Sequence, residues 1–356
     1  MSTDLDAIRV AVSKFKDPET GRTIGSTNQL KSLDFLGETL VCNIELASHS
    51  FPVQDEFKSR VEECIRTSGA GSEKVEVEIS EFDRPPARLG QIGLTVKSVI
   101  AVGSGKGGVG KSTMATSIAL TLSEMGCKVG LMDADVYGPS VPHLLGLEGM
   151  PEVQNGKIHP IFFEHIPVMS MGFMLEEDQA VIWRGPKLHG AITQFLRDTY
   201  WGPLDYLIID MPPGTGDVAL TLSQALPVTG SVVVCTPQKV ALLDATKAIG
   251  MFGTTNIPVL GMIENMSGFI CPDNGKRYDI FGAGGARAKA EEKGVAFLGE
   301  VPLNMQLRLE SDEGNLASVL KDPICRPALE KIVRSMCTRI NDRAAASPNG
   351  PGLPVL

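Results

Sequence analysis

The chain's 356 residues suffice for two domains, and 43% hydrophobic against 21% charged residues is ordinary for a globular protein. A net charge of −9 argues against a nucleic-acid footprint, and no apolar run approaches the ~20 residues that span a bilayer. The 7 cysteines are scattered with no C-x-x-C pair and the start Met1–Asp6 is acidic, which predicts no disulfide framework, no signal peptide and a reducing, cytoplasmic setting.

Residues 1–82 read as a small α/β domain. Helical spacing covers Leu5 to Phe15, and Leu40–Leu46 is strand-like. Gln54 to Thr67 places Phe57, Val61 and Ile65 on one helical face. Val75, Val77 and Ile79 alternate with Glu76 and Glu78 as a half-buried strand. Residues 83–95, with Pro85, Pro86 and Gly90, read as a linker. From 96 to 343 strands and helices alternate. The strand candidates are Ser98–Val102, Lys128–Met132, Ile166–Met169, Tyr206–Ile209, Ser231–Cys235, Val259–Ile263 and Phe297–Glu300. The helix candidates are Ser112–Met125, Pro186–Asp198, Asp217–Leu226, Lys239–Phe252, Ala283–Lys293 and Pro327–Arg343. Near-continuous apolar strands between helices predict a mostly parallel, doubly wound sheet. Residues 344–356, rich in proline and glycine, read as a disordered tail.

Gly105, Gly110, Lys111 and Ser112 fit the G-x-x-x-x-G-K-[ST] phosphate loop, with a strand before it and a helix after. Glycines let the backbone curl so that N–H groups face an anion, and the helix adds its positive end. Gly105, Gly107, Gly108, Val109, Gly110, Lys111, Ser112 and Thr113 are therefore the expected nucleotide contacts. Lys111 is expected on the β- and γ-phosphates and the Ser112 hydroxyl on Mg²⁺. Asp133 and Asp135 follow one apolar strand, at the sheet edge where ligands bind. Asp210 ends another and fits the carboxylate that holds Mg²⁺. Gly214, in Pro212-Pro213-Gly214-Thr215-Gly216, offers an N–H to the γ-phosphate.

Lys106, in Lys106-Gly107-Gly108-x-Gly110-Lys111-Ser112-Thr113, resembles the early lysine of the dimeric P-loop ATPases that include the MinD, ParA, ArsA and nitrogenase iron-protein families. The resemblance implies a homodimer in which Lys106 reaches the partner's phosphates. It also implies that Asp135 orients the attacking water, with Asp133 near Mg²⁺. Asn265, taken to end its strand, would read the adenine edge, and the Val301-Pro302-Leu303-Asn304 loop would lay Pro302 along the base. Asp135–Ser140, Trp183-Arg184-Gly185-Pro186, Thr236-Pro237-Gln238 and Cys271–Gly282 resemble one branch, the Mrp/ApbC iron–sulfur cluster carriers. Phe15-Lys16-Asp17-Pro18-Glu19-Thr20-Gly21 resembles the SufT- and PaaD-like domain often fused to them.

This implies an ATPase that passes clusters, [4Fe–4S] in type, from assembly scaffolds to apoproteins through Cys271, with no nucleic acid or membrane partner. Two departures stand against it. Asn274 occupies the place of the second cysteine of Cys-Pro-x-Cys, and Phe51 that of the small domain's cysteine. The chloroplast branch also keeps a single cysteine before Gly-Lys-Arg-Tyr, as here at Gly275–Tyr278. Cys271 as a structural thiol stays open, as does a cluster-free nucleotide-dependent switch of the MinD/ParA type.

Overall fold

The computed structural model describes residues 4–70, 74–136, 138–174, 185–214 and 216–346. They form two compact units, one from the chain up to Pro85 with the stretch from Cys337, the other from Pro86–Met336.

In the first unit, α1 (Leu5–Ser13) is capped by the Asp4 carboxylate, which accepts from the Ala7 N–H. β1 (Leu30–Leu36) and β2 (Thr39–Leu46) form an antiparallel hairpin; α2 (Gln54–Ile65) then carries the chain to β3 (Lys74–Glu81), parallel to β2. Phe57, Val61 and Ile65 of α2 pack with Leu40, Cys42, Ile44 and Leu46 of β2 in one apolar core. The sequence pattern missed β1, because Lys31, Ser32 and Asp34 interrupt its alternation. Cys42 is fully buried, and burial pushes its thiol up to about 12, so it serves packing. Phe51 lies in a short turn of helix, Ser48–Val53, just before α2.

The second unit opens with β4 (Arg88–Leu89) paired antiparallel to the start of β5 (Leu94–Gly103). Within residues 83–95, expected as linker, 88–89 and 94–95 thus supply sheet. The turn between the two strands uses Gly90 and Gly93 at φ +63° and +68°, a region open to glycine. There follow α3 (Lys111–Glu124), β6 (Val129–Asp133), α4 (Val141–Leu144), β7 (Glu152–Gln154), β8 (Lys157–His159), β9 (Ile161–Phe163), β10 (Ile166–Ser170) and α5 (Gly185–Asp198). Then come β11 (Leu204–Asp210), α6 (Gly216–Ala225), β12 (Gly230–Cys235), α7 (Lys239–Thr254), β13 (Val259–Ile270) and β14 (Arg277–Tyr278). α8 (Gly285–Lys293), β15 (Phe297–Leu303), α9 (Met305–Asp312) and the first part of α10 (Cys325–Ala346) complete it; from Cys337 α10 belongs to the first unit, and it runs beyond residue 343 into the stretch expected as tail.

The main sheet runs β14-β13-β12-β5-β11-β6-β10-β9, with β15 on β13. Its described pairs are parallel except β4–β5, β9–β10 and β13–β14. β6, β10, β11 and β12 are buried at every residue, as strands covered on both faces must be. β5 lies between β11 and β12, from which the sheet grows in opposite directions. The loop after β5 therefore sits at a topological switch point, where open α/β sheets bind ligands. No described helix is long and apolar enough to cross a membrane.

Two expected strand ends move. β13 does not stop near Asn265 but continues to Ile270 through a bulge, with Met266 at φ +58° and Gly268 at φ +69°. The Val301–Leu303 stretch is strand, not loop; β15 lies at an edge, where the N–H that Pro302 lacks is not needed. Tyr137, Trp183, Arg184, Thr215 and residues 347–356 lie outside the described residues.

Candidate functional site

The phosphate loop spans the end of β5 and the first turn of α3. Gly108 and Gly110 have φ of +76° and +78°, conformations that side chains resist. A Cβ on Gly105 would lie 2.0 Å from the Asp244 carbonyl of α7, so nothing larger than glycine fits there. Gly107 and Gly108 face open space. The Ser104 hydroxyl donates to the Lys106 carbonyl at 2.9 Å, closing the loop's first turn. The Lys106 side chain is half-buried and has no partner among the described residues.

Lys111 is buried at 6% exposure among oxygens. Its ammonium donates to Asp210 Oδ1 at 2.5 Å and to Ser112 Oγ at 3.1 Å, with Asp135 Oδ2 at 3.8 Å. Asp210 and Asp133 end adjacent paired strands, which sets their carboxylates side by side. Burial raises the pKa of Asp210, against the pull of Lys111. Burial, then the Asp210 charge, pushes Asp133 up to about 7.

The two carboxylates differ in what they have left to offer. Asp133 accepts from the backbone N–H groups of Asp135, Ser140 and Val141 and from the Ser170 hydroxyl. It holds the loop after β6 in place, with one donor on Oδ1 and three on Oδ2. Asp210 Oδ2 is buried, and among the described residues no hydrogen bond to it is found. A buried, unpaired carboxylate oxygen beside a hydroxyl is the donor set of a hard divalent cation, so Asp210 and Ser112 fit Mg²⁺. Asp135 keeps its loop turned by accepting from Gly138 N at 3.2 Å.

Gly214 is not aimed at the loop's interior. Its N–H donates to the Ser104 carbonyl at 3.1 Å, and φ is +69°. Asn265 is buried, and its side-chain amide donates to the Val109 carbonyl at 2.9 Å. Pro302 is half-buried in β15, which is separated from β5 by β12 and β13.

Cys271 opens the loop between β13 and β14. Its N–H donates to the Lys276 carbonyl and its carbonyl accepts from Gly275, so the loop is a closed hairpin tip. Asn274 Oδ1 accepts from Lys276 N at 2.9 Å, bracing that tip. Among the described residues no three His, Cys, Asp or Glu side chains gather as a metal site, so Cys271 has no ligand set within one chain.

Sequence reasoning missed Glu264. It is fully buried and accepts from Ser267 Oγ, Gly284 N and Ala286 N at 2.6, 2.8 and 2.6 Å, capping α8. It also missed Arg277, which ties the hairpin to Asp279, Glu300 and Ser267. Only the Glu264 position beside Asn265 hinted at a role, since its backbone partners Gly284 and Ala286 lie 20 and 22 residues on.

A family model described as NUBPL iron-transfer P-loop NTPase matches residues 95–340, and one described as iron–sulfur cluster assembly protein matches 5–79. An iron–sulfur cluster carrier protein of Deinococcus radiodurans is 42% identical over 95% of this chain and 96% of its own length. That of Escherichia coli K12 is 40% identical over 96% and 92%. A solved nucleotide-binding protein from Archaeoglobus fulgidus, in complex with ADP and with cobalt, is 40% identical, with a TM-score of 0.57 over 65% of this chain and 91% of that one. The phosphate loop at the sheet's switch point and the two matched regions agree: the chain belongs to the NUBPL iron-transfer P-loop NTPase family and carries an iron–sulfur cluster assembly domain before it.

Proposed function

We propose that the chain is an ATP-dependent iron–sulfur cluster carrier that works in the cytoplasm as a homodimer, between assembly scaffolds and apoproteins. The observation that carries this reading is the course of β13: Asn265 touches the phosphate loop, and the same strand ends at Ile270, immediately before Cys271. The carriers at 40–42% identity support the cargo.

ATP enters with its triphosphate in the curl of residues 105–113, and Lys111 exchanges Asp210 for phosphate oxygens. Asp210 and Ser112 hold Mg²⁺, which supplies Lewis-acid stabilisation of phosphate charge. Asp135 accepts a hydrogen bond from the water that attacks the γ-phosphorus. The bond to the β-phosphate oxygen breaks, and ADP and phosphate leave. Lys106, supplied by the second copy, meets the charge on the leaving oxygen, the logic of an arginine finger. Gly214 turns from Ser104 to the γ-phosphate, so residues 211–217 respond to ATP against ADP. Asn265 reads the adenine edge and Pro302 lies along the base.

Cys271 from each copy gives a bridging cluster two thiolates where Cys-x-x-Cys relatives give four. The remaining iron sites of a [4Fe–4S] cluster take a small thiol or an acceptor's side chain, which makes transfer a ligand exchange. Anaerobic reconstitution tests this. A homodimer with stoichiometric iron and sulfide, lost in Cys271→Ala, supports the carrier. ATP hydrolysis with no cluster, under conditions that load a Cys-x-x-Cys relative, supports the cluster-free switch instead.

A further inference from the structure

We infer that Asn265 is a positioning residue that aims the phosphate loop, a role separate from reading the base. The inference rests on the nucleotide-binding reading above and adds to it. Val109 lies between the two left-handed glycines, Gly108 and Gly110, and is 1% exposed. Its carbonyl, so placed, needs a donor from within the protein. Asn265 supplies one, its Nδ2 at 2.9 Å.

The geometry of the peptide group then does the aiming. The Val109 carbonyl and the Gly110 N–H belong to one planar trans peptide and point in opposite directions. A donor fixed on the carbonyl from outside therefore turns the Gly110 N–H toward the inside of the curl, where a phosphate sits. The fit is close: a Cβ on Gly110 would lie 2.2 Å from Asn265 Nδ2, so residue 110 has to be glycine for the amide to reach. The β13 bulge, with Met266 and Gly268 in left-handed conformations, begins immediately after Asn265. No described donor reaches Asn265 Oδ1, which leaves an acceptor for an amino group on the base. One amide would thus both shape the loop and favour an amino edge over a keto edge.

A ligand without a base separates the two roles. Binding of Mg²⁺–tripolyphosphate and of Mg²⁺–ATP is measured by calorimetry on the unaltered chain, Asn265→Ala and Asn265→Asp. Each variant's ligand-induced rise in melting temperature is taken against its own ligand-free value, which removes any general loss of stability. The aspartate has the same shape but turns an acceptor toward the Val109 carbonyl. Tripolyphosphate affinity is expected to fall about ten-fold in the alanine variant and further in the aspartate variant, as for a lost buried hydrogen bond. ATP affinity is expected to fall more than either. Tripolyphosphate binding unchanged in both variants while ATP binding weakens would leave Asn265 as a base reader alone and overturn the inference. An unaltered chain that binds neither ligand would overturn the nucleotide reading and this one together.

Discussion

Lys106 and Lys111 lie five residues apart and do different work. Lys111 is enclosed by Asp210, Asp135 and Ser112, whereas no described partner holds the Lys106 ammonium. Lys111→Ala is therefore expected to abolish nucleotide binding. Lys106→Ala should bind ATP normally in calorimetry and hydrolyse it at least ~10²-fold more slowly, as when a trans cation is lost. Equal turnover by that variant and the unaltered chain would remove the trans-lysine assignment. Asp17 makes a different prediction. Burial alone would raise its pKa, but donors from Thr20, Arg84 and Gln29 outweigh burial and hold it below 3.8. A depressed folded pKa stabilises above the unfolded value and is lost as pH falls through the folded one. The first unit should thus lose stability below about pH 4 in acid titrations followed by circular dichroism, and Asp17→Asn should flatten that limb. The phosphate loop was legible residue by residue because glycine, lysine and serine at fixed offsets encode backbone shape and charge. Asn274's brace and Asp133's four donors were not, because their meaning depends on which N–H groups the fold brings near.

At the scale of elements, β13 binds the site together. It carries Glu264 to the N-terminus of α8, Asn265 to the phosphate loop and Ser267 to Arg277 of the hairpin. Glu264→Gln keeps the shape but turns an NH₂ toward an N–H it should accept from. The variant is expected to lose about 2 kcal/mol, read as a lower unfolding midpoint of the second unit, because it leaves a buried donor unpaired. No change in midpoint would mean that the α8 cap contributes little. The strands of the central sheet were legible because they are apolar and covered on both faces. The far half of β13 was not: buried polar residues there look like a turn until their partners are known. β4 and β1 escaped for the related reason that short or polar-interrupted strands carry little periodicity.

At the scale of the molecule, the α/β alternation made the large sheet readable, and the unit boundary falls at Pro85–Pro86, inside the proline-containing stretch 83–95. The proposed dimer can be tested by complementation. Lys106→Ala retains its own Lys111, and Lys111→Ala retains a Lys106 to lend. Mixed, two inactive variants should recover up to about a quarter of the unaltered ATPase rate, since half the dimers are mixed and one of their two sites is whole. No recovery on mixing, with mixed dimers verified, would count against a shared site. The hairpin at Cys271 has one further consequence. With Asn274 closing the turn, the tip holds a single thiol and cannot store two electrons' worth of oxidation as a local disulfide. A sulfenic acid formed there must be resolved by glutathione or by a thiol from another chain, so oxidative stress would either cap the hairpin or lock two copies covalently.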